Sequence, residues 1–362
     1  MNKLIRPILG LLQGIVIYLL INYTHLSNAG LVCSVILLTF PLFALQIKLP
    51  TAETLPMGLG MIMVMAMVYS YIAYYLVNAL EVNGNLIAPI LGMQCIASAF
   101  IFYVFYCVAI EEKRFSFPYI SLFNEAWRVV LKLLLGQLLV TLIWGLFLLA
   151  GQLFTLLNIN FVQNVVLSAS FFYIMPPLFF GIAMAILHQY EDLLTKLRNI
   201  LLVFCKILYP LFVVINVCFL IAVPFAHIEF NTFWPTIILL SGINIVLFNG
   251  IYQAGFDSSP YPKWFSALIY LSLIITMIYS LYILKFPWEN STHQPDQLLI
   301  IISLTILALY NVFYVLAIFL SRKPWLSLIK ITNTSLALLT AIVYLILALP
   351  TVSDKLAHML AL

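Results

Sequence analysis

Residues 129–156 read VVLKLLLGQLLVTLIWGLFLLAGQLFTL, a run in which Lys132 is the single charged side chain. A helix rises about 1.5 Å per residue, so about 20 apolar residues cross a hydrocarbon layer about 30 Å thick. This run exceeds that length and lacks the polar face that a helix at a water-exposed surface must show. It reads as a membrane-spanning helix, and it sets the expectation for its neighbours.

Ten further segments have the same character: 7–23, 30–47, 57–80, 86–110, 165–188, 200–223, 235–254, 264–284, 298–319 and 332–350. Composition agrees, since 65% of the 362 residues are hydrophobic and 8% are charged. A water-soluble domain carries about a quarter charged residues. The fold class expected is all-α, a polytopic transmembrane helical bundle of about eleven spans, with residues 1–362 forming a single integral membrane domain. Lys3 and Arg6 precede the first apolar run, and Ser27-Asn28-Ala29 loosely resembles a signal cleavage site. The run is long for a signal core and another span follows at once, so it is read as a retained first helix.

Positive charge gives an independent test, because Lys and Arg accumulate on the cytoplasmic side of a membrane protein. With the N-terminus inside, fourteen of them fall on the inner side: Lys3, Arg6, Lys48, Lys113, Arg114, Arg128, Lys132, Lys196, Arg198, Lys206, Lys263, Arg322, Lys323 and Lys330. Only Lys285 and Lys355 fall outside. The C-terminus is therefore expected outside, in a bacterial inner membrane. None of these basic residues forms a run of the kind that binds nucleic acid.

No ionisable residue falls at the middle of any segment. Charged groups at that depth usually mark ion pathways or proton relays, so a carrier driven by buried carboxylates is disfavoured. Uncharged amides do occur there: Gln13, Gln94, Gln137, Asn216, Asn244, Asn249, Gln253 and Asn311. An unpaired amide in hydrocarbon is costly, so these groups should bond across helices. Three lie in one span, and Asn244, Asn249, Gln253, Lys263 and Trp264 form the candidate functional polar cluster. Gly255 would end that helix, and Pro260 and Pro262 would stiffen the turn that follows. Asn124, ahead of Glu125, is a candidate helix cap.

Other motifs read more plainly. Gly10 and Gly14 make a GxxxG pattern that lets helices approach closely, here inside the fold. Pro41, Pro89, Pro176, Pro177 and Pro210 interrupt spans and should kink them. Cys33, Cys95, Cys107, Cys205 and Cys218 lie in apolar runs without metal spacing and read as small buried hydrophobes. His188, Tyr190, Glu191 and Asp192 read as a solvated helix end, and His227, Glu229, Glu289, His293 and Asp296 as a weaker outer group. No HExxH, GxSxG or phosphate-cradling glycine loop appears, and the first outer loop, residues 24–29, carries no acid. No catalytic residue, cofactor or metal is expected.

The second half contains Asn249-Gly-Ile-Tyr252-Gln253-Ala-Gly255, Pro260-Tyr-Pro262-Lys263-Trp264, two spans, Asn333-Thr-Ser-Leu-Ala-Leu-Leu, then Leu349-Pro350 and Asp354. This order resembles a bacterial family of inner-membrane proteins known as domain of unknown function 4153. At the end of the ninth span Lys285-Phe-Pro-Trp-Glu-Asn stands where the family often carries an Arg and a Tyr-Gly pair. The resemblance implies an inner-membrane location and no established activity. The leading functional expectation is a non-catalytic membrane component or assembly partner, in contact with the lipid bilayer and a membrane-protein partner. A transporter or lipid translocator not driven by buried carboxylates, and a membrane enzyme, are the alternatives.

Overall fold

The computed structural model describes residues 2–83, 87–225, 230–252, 261–289, 295–320 and 327–349. Among them every regular element is helical: α1 Asn2–Tyr23, α2 Asn28–Ile47, α3 Leu55–Asn83, α4 Ile87–Glu112, α5 Tyr119–Leu156, α6 Phe161–Val166, α7 Ala169–Gln189, α8 Glu191–Ala222, α9 Phe230–Tyr252, α10 Lys263–Glu289, α11 Pro295–Leu320 and α12 Ser327–Leu347. A single 3-10 turn, Val223–Phe225, follows α8. The protein is all-α. Nine helices (α1–α5, α7, α8, α10 and α12) are long and apolar enough to cross a membrane among the described residues. The helices α9 and α11 carry shorter apolar stretches, Pro235–Ile251 and Ile301–Ala317.

The described part of each of the eleven apolar segments read from the sequence falls mainly on helix, and the sixth is divided. Residues 161–166 form α6, and α7 begins afresh where the Ser168 hydroxyl accepts from the Phe171 N–H at 3.4 Å. The helix α2 starts in the same way, with the Ser27 hydroxyl accepting from the Gly30 N–H at 3.2 Å. Such oxygens satisfy N–H groups that the first turn leaves without a partner.

One expected start is corrected. The helix α5 begins at Tyr119, after Pro118, and Asn124 lies inside it. The Asn124 side-chain oxygen accepts from the Arg198 guanidinium at 2.7 Å, so it caps nothing. Pro118, with φ fixed near −59°, supplies a ready entry to the helix without a side-chain cap. At 38 residues α5 is about 57 Å long, and it extends well beyond a hydrocarbon core. Its predecessor α4 ends at Glu112 and is followed by Lys113, whose φ of 56° gives the left-handed turn usually left to glycine.

The described residues pack as two units, residues 1–88 with 92–198, and residues 89–91 with 199–362. In the first, α1 lies against α7 with its glycines at the seam. A Cβ on Gly14 would come 2.6 Å from the Ile174 backbone, and one on Gly10 would come 2.2 Å from the Pro177 carbonyl oxygen. On the other side of the seam, a Cβ on Gly181 would come 2.5 Å from the Arg6 carbonyl oxygen. The pairing 14 with 174, 10 with 177 and 6 with 181 makes the two helices antiparallel. Bare Cα–H groups therefore face carbonyl oxygens, a close contact that small residues permit between membrane helices. The GxxxG pattern is thus used inside the unit, and α7 runs unbroken through Pro176 and Pro177.

The core of the second unit joins Tyr209 and Val213 of α8, Phe248 of α9, Ile269 and Leu273 of α10 and Tyr314 of α11. The Phe248 and Tyr314 rings stack at 5.2 Å. A further cluster holds Leu220, Phe233, Ile237, Ile283 and Leu304. All five cysteines are free thiols. Cys95 and Cys107 are buried as expected and Cys33 and Cys205 partly so, but Cys218 is exposed, on the outward side of α8.

Backbone, not a flexible side chain, fills the space beside Gly14, so Gly14→Leu should separate α1 from α7. The expected loss is about 3 kcal/mol or more, read as chemical unfolding in mixed micelles. Gly145 on α5 has nothing within 4 Å. Gly145→Ala should be neutral or stabilising by up to about 1 kcal/mol in the same assay.

Candidate functional site

The chain segments at one end of the first unit are joined by charge. These are the N-terminal turns of α1, the α2–α3 and α4–α5 connections, and the junction of α7 with α8. Lys48, just after α2, meets Glu111 of α4 at 3.0 Å and Glu125 of α5 at 3.5 Å. Arg128 of α5 contacts both of those acids, Glu111 at 3.3 Å and Glu125 directly. Lys113 pairs with Glu53. One helical turn beyond Arg128, Lys132 meets Glu191 at 3.5 Å, and His188 contacts the same Glu191 oxygen at 2.8 Å through Nδ1. Glu125, Arg128 and Lys132 recur three and four residues apart, which puts them on one helix face.

Two members of this lattice lie deep. The side chains of Glu125 and Lys132 are 3% and 4% exposed. Charges removed from water are costly unless paired, and removing one partner leaves the other uncompensated. Glu125 has two cations within ion-pair distance, Lys48 and Arg128. Lys48 lies between helices: burial opposes its charge, but the carboxylates of Glu125 and Glu111 outweigh that effect and raise its pKa. At the exposed pair, the Lys113 ammonium lowers the pKa of Glu53 by hydrogen bond and by charge.

Arg6 is buried at the same end. Its Nε–H donates to the Gln46 carbonyl oxygen at 2.8 Å, while Nη1 is buried without a hydrogen-bond partner. The Gln46 amide in turn donates to the Gln13 side-chain oxygen at 2.6 Å, tying α2 to α1. Tyr103 and Tyr106 of α4 donate to the carbonyls of Ala44 and Lys48 at 2.8 and 3.1 Å, closing the last turn of α2.

The second unit holds polarity of another kind. Asn249 of α9 donates to the Tyr314 hydroxyl at 2.7 Å, Tyr314 donates to Asn333 of α12 at 2.5 Å, and Asn333 donates back to Asn249 at 2.8 Å. The result is a closed ring in which each residue gives one hydrogen bond and accepts one. Along α10, Ser272, Thr276 and Ser280 repeat every four residues and form a buried hydroxyl stripe. Asn216 of α8 donates to Ser272 and Thr276 at 2.8 and 3.1 Å. Asn311 of α11 donates to Ser280 at 3.1 Å and to Ser241 of α9 at 3.4 Å. The side-chain oxygens of Asn216 and Asn311 are buried without partners.

The residues singled out in the sequence do not form one cluster. Asn244 accepts from the Tyr209 hydroxyl at 3.0 Å, its NH₂ remaining buried and unpartnered, and Asn249 belongs to the ring. Lys263 is exposed, and Trp264 is 72% exposed and projects outward. Gln253, Gly255 and Pro260 lie outside the described residues. The helix end at His188–Asp192 is solvated, with His188, Tyr190 and Asp192 exposed, and half-exposed Glu191 also pairs with the buried Lys132. His227 and Glu229 lie outside the described residues, as does His293, and the same holds for the side chains of Glu289 and Asp296. No group of three potential metal ligands occurs among the described residues.

The chain matches no family model, no curated protein and no solved structure. Its candidate sites therefore stand on their own geometry. Missed in the sequence were the depth of Glu125 and Lys132, the hydroxyl stripe, and the tyrosines Tyr209 and Tyr314. The four-residue repeat Ser272-Thr276-Ser280 carried a readable signal; the two tyrosines did not stand out among twenty.

Glu125→Leu leaves the partly exposed Lys48 and Arg128 with Glu111 as their remaining partner and should cost about 1–3 kcal/mol in mixed-micelle unfolding. A pH series adds a signed test on Lys48. Its raised folded pKa stabilises the fold fully below the ordinary lysine value of 10.5, and that contribution is lost as pH rises through the folded value. The loss on the alkaline side should be smaller in Lys48→Met.

Proposed function

We propose that this chain is an eleven-span protein of a bacterial inner membrane, with its N-terminus cytoplasmic and its C-terminus outside. It serves there as a non-catalytic membrane component that presents a fixed cytoplasmic face to a membrane-protein partner. The observation that carries this reading is the ion-paired end of the first unit. The inner-side cations Arg6, Lys48, Lys113, Arg128 and Lys132 come from four separate stretches of sequence and gather at that one end. Positive residues mark the cytoplasmic end, and the lattice they make with Glu111, Glu125 and Glu191 holds the ends of five helices in register.

The amides of the second unit support the same role. Asn249 is engaged by Tyr314 and Asn333, and Asn216 by the hydroxyls of α10, which is how buried amides hold helices together. The motif order shared with domain of unknown function 4153 points to the same membrane. A second reading, passage of a lipid or neutral solute through the second unit, draws on the unpartnered oxygens of Asn216 and Asn311. Within this proposal residues 244–264 are the part of the second unit that meets the partner, because Lys263 and Trp264 stand exposed just beyond the ring.

Reporter fusions after Ile47, Ile110, Asn199 and Leu362 test the topology. The first three should report cytoplasm and the last the outside; a cytoplasmic signal at Leu362 would remove the odd span count. Changing Asn249 and Gln253 together to Leu tests the segment. A folded protein with an unchanged cellular phenotype would leave these amides no part in function.

A further inference from the structure

The buried polar seam of the second unit lacks hydrogen-bond donors at two places, and the bonding along α10 explains why. The Thr276 hydroxyl donates to the Ser272 carbonyl and the Ser280 hydroxyl to the Thr276 carbonyl, each at 2.7 Å. A hydroxyl has one hydrogen, so toward the neighbouring helices these two oxygens only accept. The amides that meet them must present NH₂ groups, as Asn216 does to Thr276 and Asn311 to Ser280. Their second N–H bonds go to Ser272 and Ser241. The side-chain oxygens of Asn216 and Asn311 are left buried with no protein donor. Asn244 of α9 is the complementary case: its oxygen accepts from Tyr209, and its NH₂ is buried with no protein acceptor.

These groups lie deep. Asn216, Asn244 and Asn311 are each 0% exposed, and the stripe from Ser272 to Ser280 stops about 13 Å short of either end of α10. An amide in an apolar interior is costly unless it is hydrogen-bonded. The species that completes this set must be able to donate to two oxygens and to accept from one NH₂. It must also be small, since all three side chains are closed off from outside. The partners already in place are hydroxyls, which call for no charge. Water meets each condition, and buried water typically bridges polar groups that the chain leaves unmet.

We propose that the interior of the second unit binds single water molecules at Asn216 Oδ1, at Asn311 Oδ1 and at the Asn244 NH₂, and that these waters complete the hydrogen bonds between its helices. The contacts of α8, α9 and α11 with their neighbours are then carried partly by solvent. Separate waters in a closed seam serve the packing of helices rather than the passage of a solute. The inference goes beyond the partner role proposed above and rests on neither its topology nor its partner. The fusion reporters can therefore fail while the water positions stand.

The test is an experimental structure of the full chain in lipid, at a resolution that shows ordered water. Density for one water should stand about 2.7–3.2 Å from each of the three amide atoms. The same structure of Asn311→Leu should lose the density beside residue 311 and keep that beside Asn216 and Asn244. Where that variant does not fold, the native maps decide the matter by themselves. Amide oxygens bonded to protein donors, or maps that are empty beside them, would overturn the proposal. Density too long for a single water at either oxygen would do the same, because the ligand would then be a larger solute.

Discussion

A charge taken out of water costs several kcal/mol unless an opposite charge or a set of hydrogen bonds meets it. In the first unit that cost is met by bringing five helix ends to a common level. Lys48 reaches α4 and α5, Lys132 reaches the start of α8, and Arg6 reaches the last turn of α2. The seam of α1 and α7 is what allows this. Glycine at positions 10, 14 and 181 lets the α1 and α7 backbones come close, and the same α1 carries Arg6 to the end of α2.

The second unit meets the same requirement without charge. Its polar groups are amides and hydroxyls, and they act between helices, some consecutive and some distant in sequence. The hydroxyl stripe of α10 is served from α8, α9 and α11, and the ring ties α9 to α11 and α12. Serine and threonine in such a stripe also donate to the carbonyl four residues back, as Thr276 does to Ser272 and Ser280 to Thr276. They are then left as acceptors, which is what the asparagine NH₂ groups require. Helix association in lipid gains little from hydrophobicity, so bonds of this type and close packing determine which helices meet.

The all-α character and the placement of the helices could be read from apolar run length, because in a bilayer the backbone must satisfy its own hydrogen bonds and helices do so. The pattern of Lys and Arg named the segments that the first unit gathers at one end. What could not be read was depth. Lys132 and Arg6 look like boundary residues in the sequence, yet in the folded unit both are 3% exposed. The α5 start was misplaced because Asn124 has the chemistry of a cap, while its actual partner, Arg198, is 74 residues away. Of the amides, Asn249 was recognised, but its partners Tyr314 and Asn333 lie 65 and 84 residues further on, beyond any local pattern.

That separation has a consequence for synthesis. Helices enter a membrane in the order in which they are made, so α9 is in place while α12 is still unmade. Until α12 is made, the Asn249 side-chain oxygen lacks the Asn333 donor that it holds in the finished protein. The ring closes only when Asn333 arrives with the last described helix. A chain truncated before that point therefore keeps an amide oxygen on α9 without the hydrogen bond that the finished fold supplies.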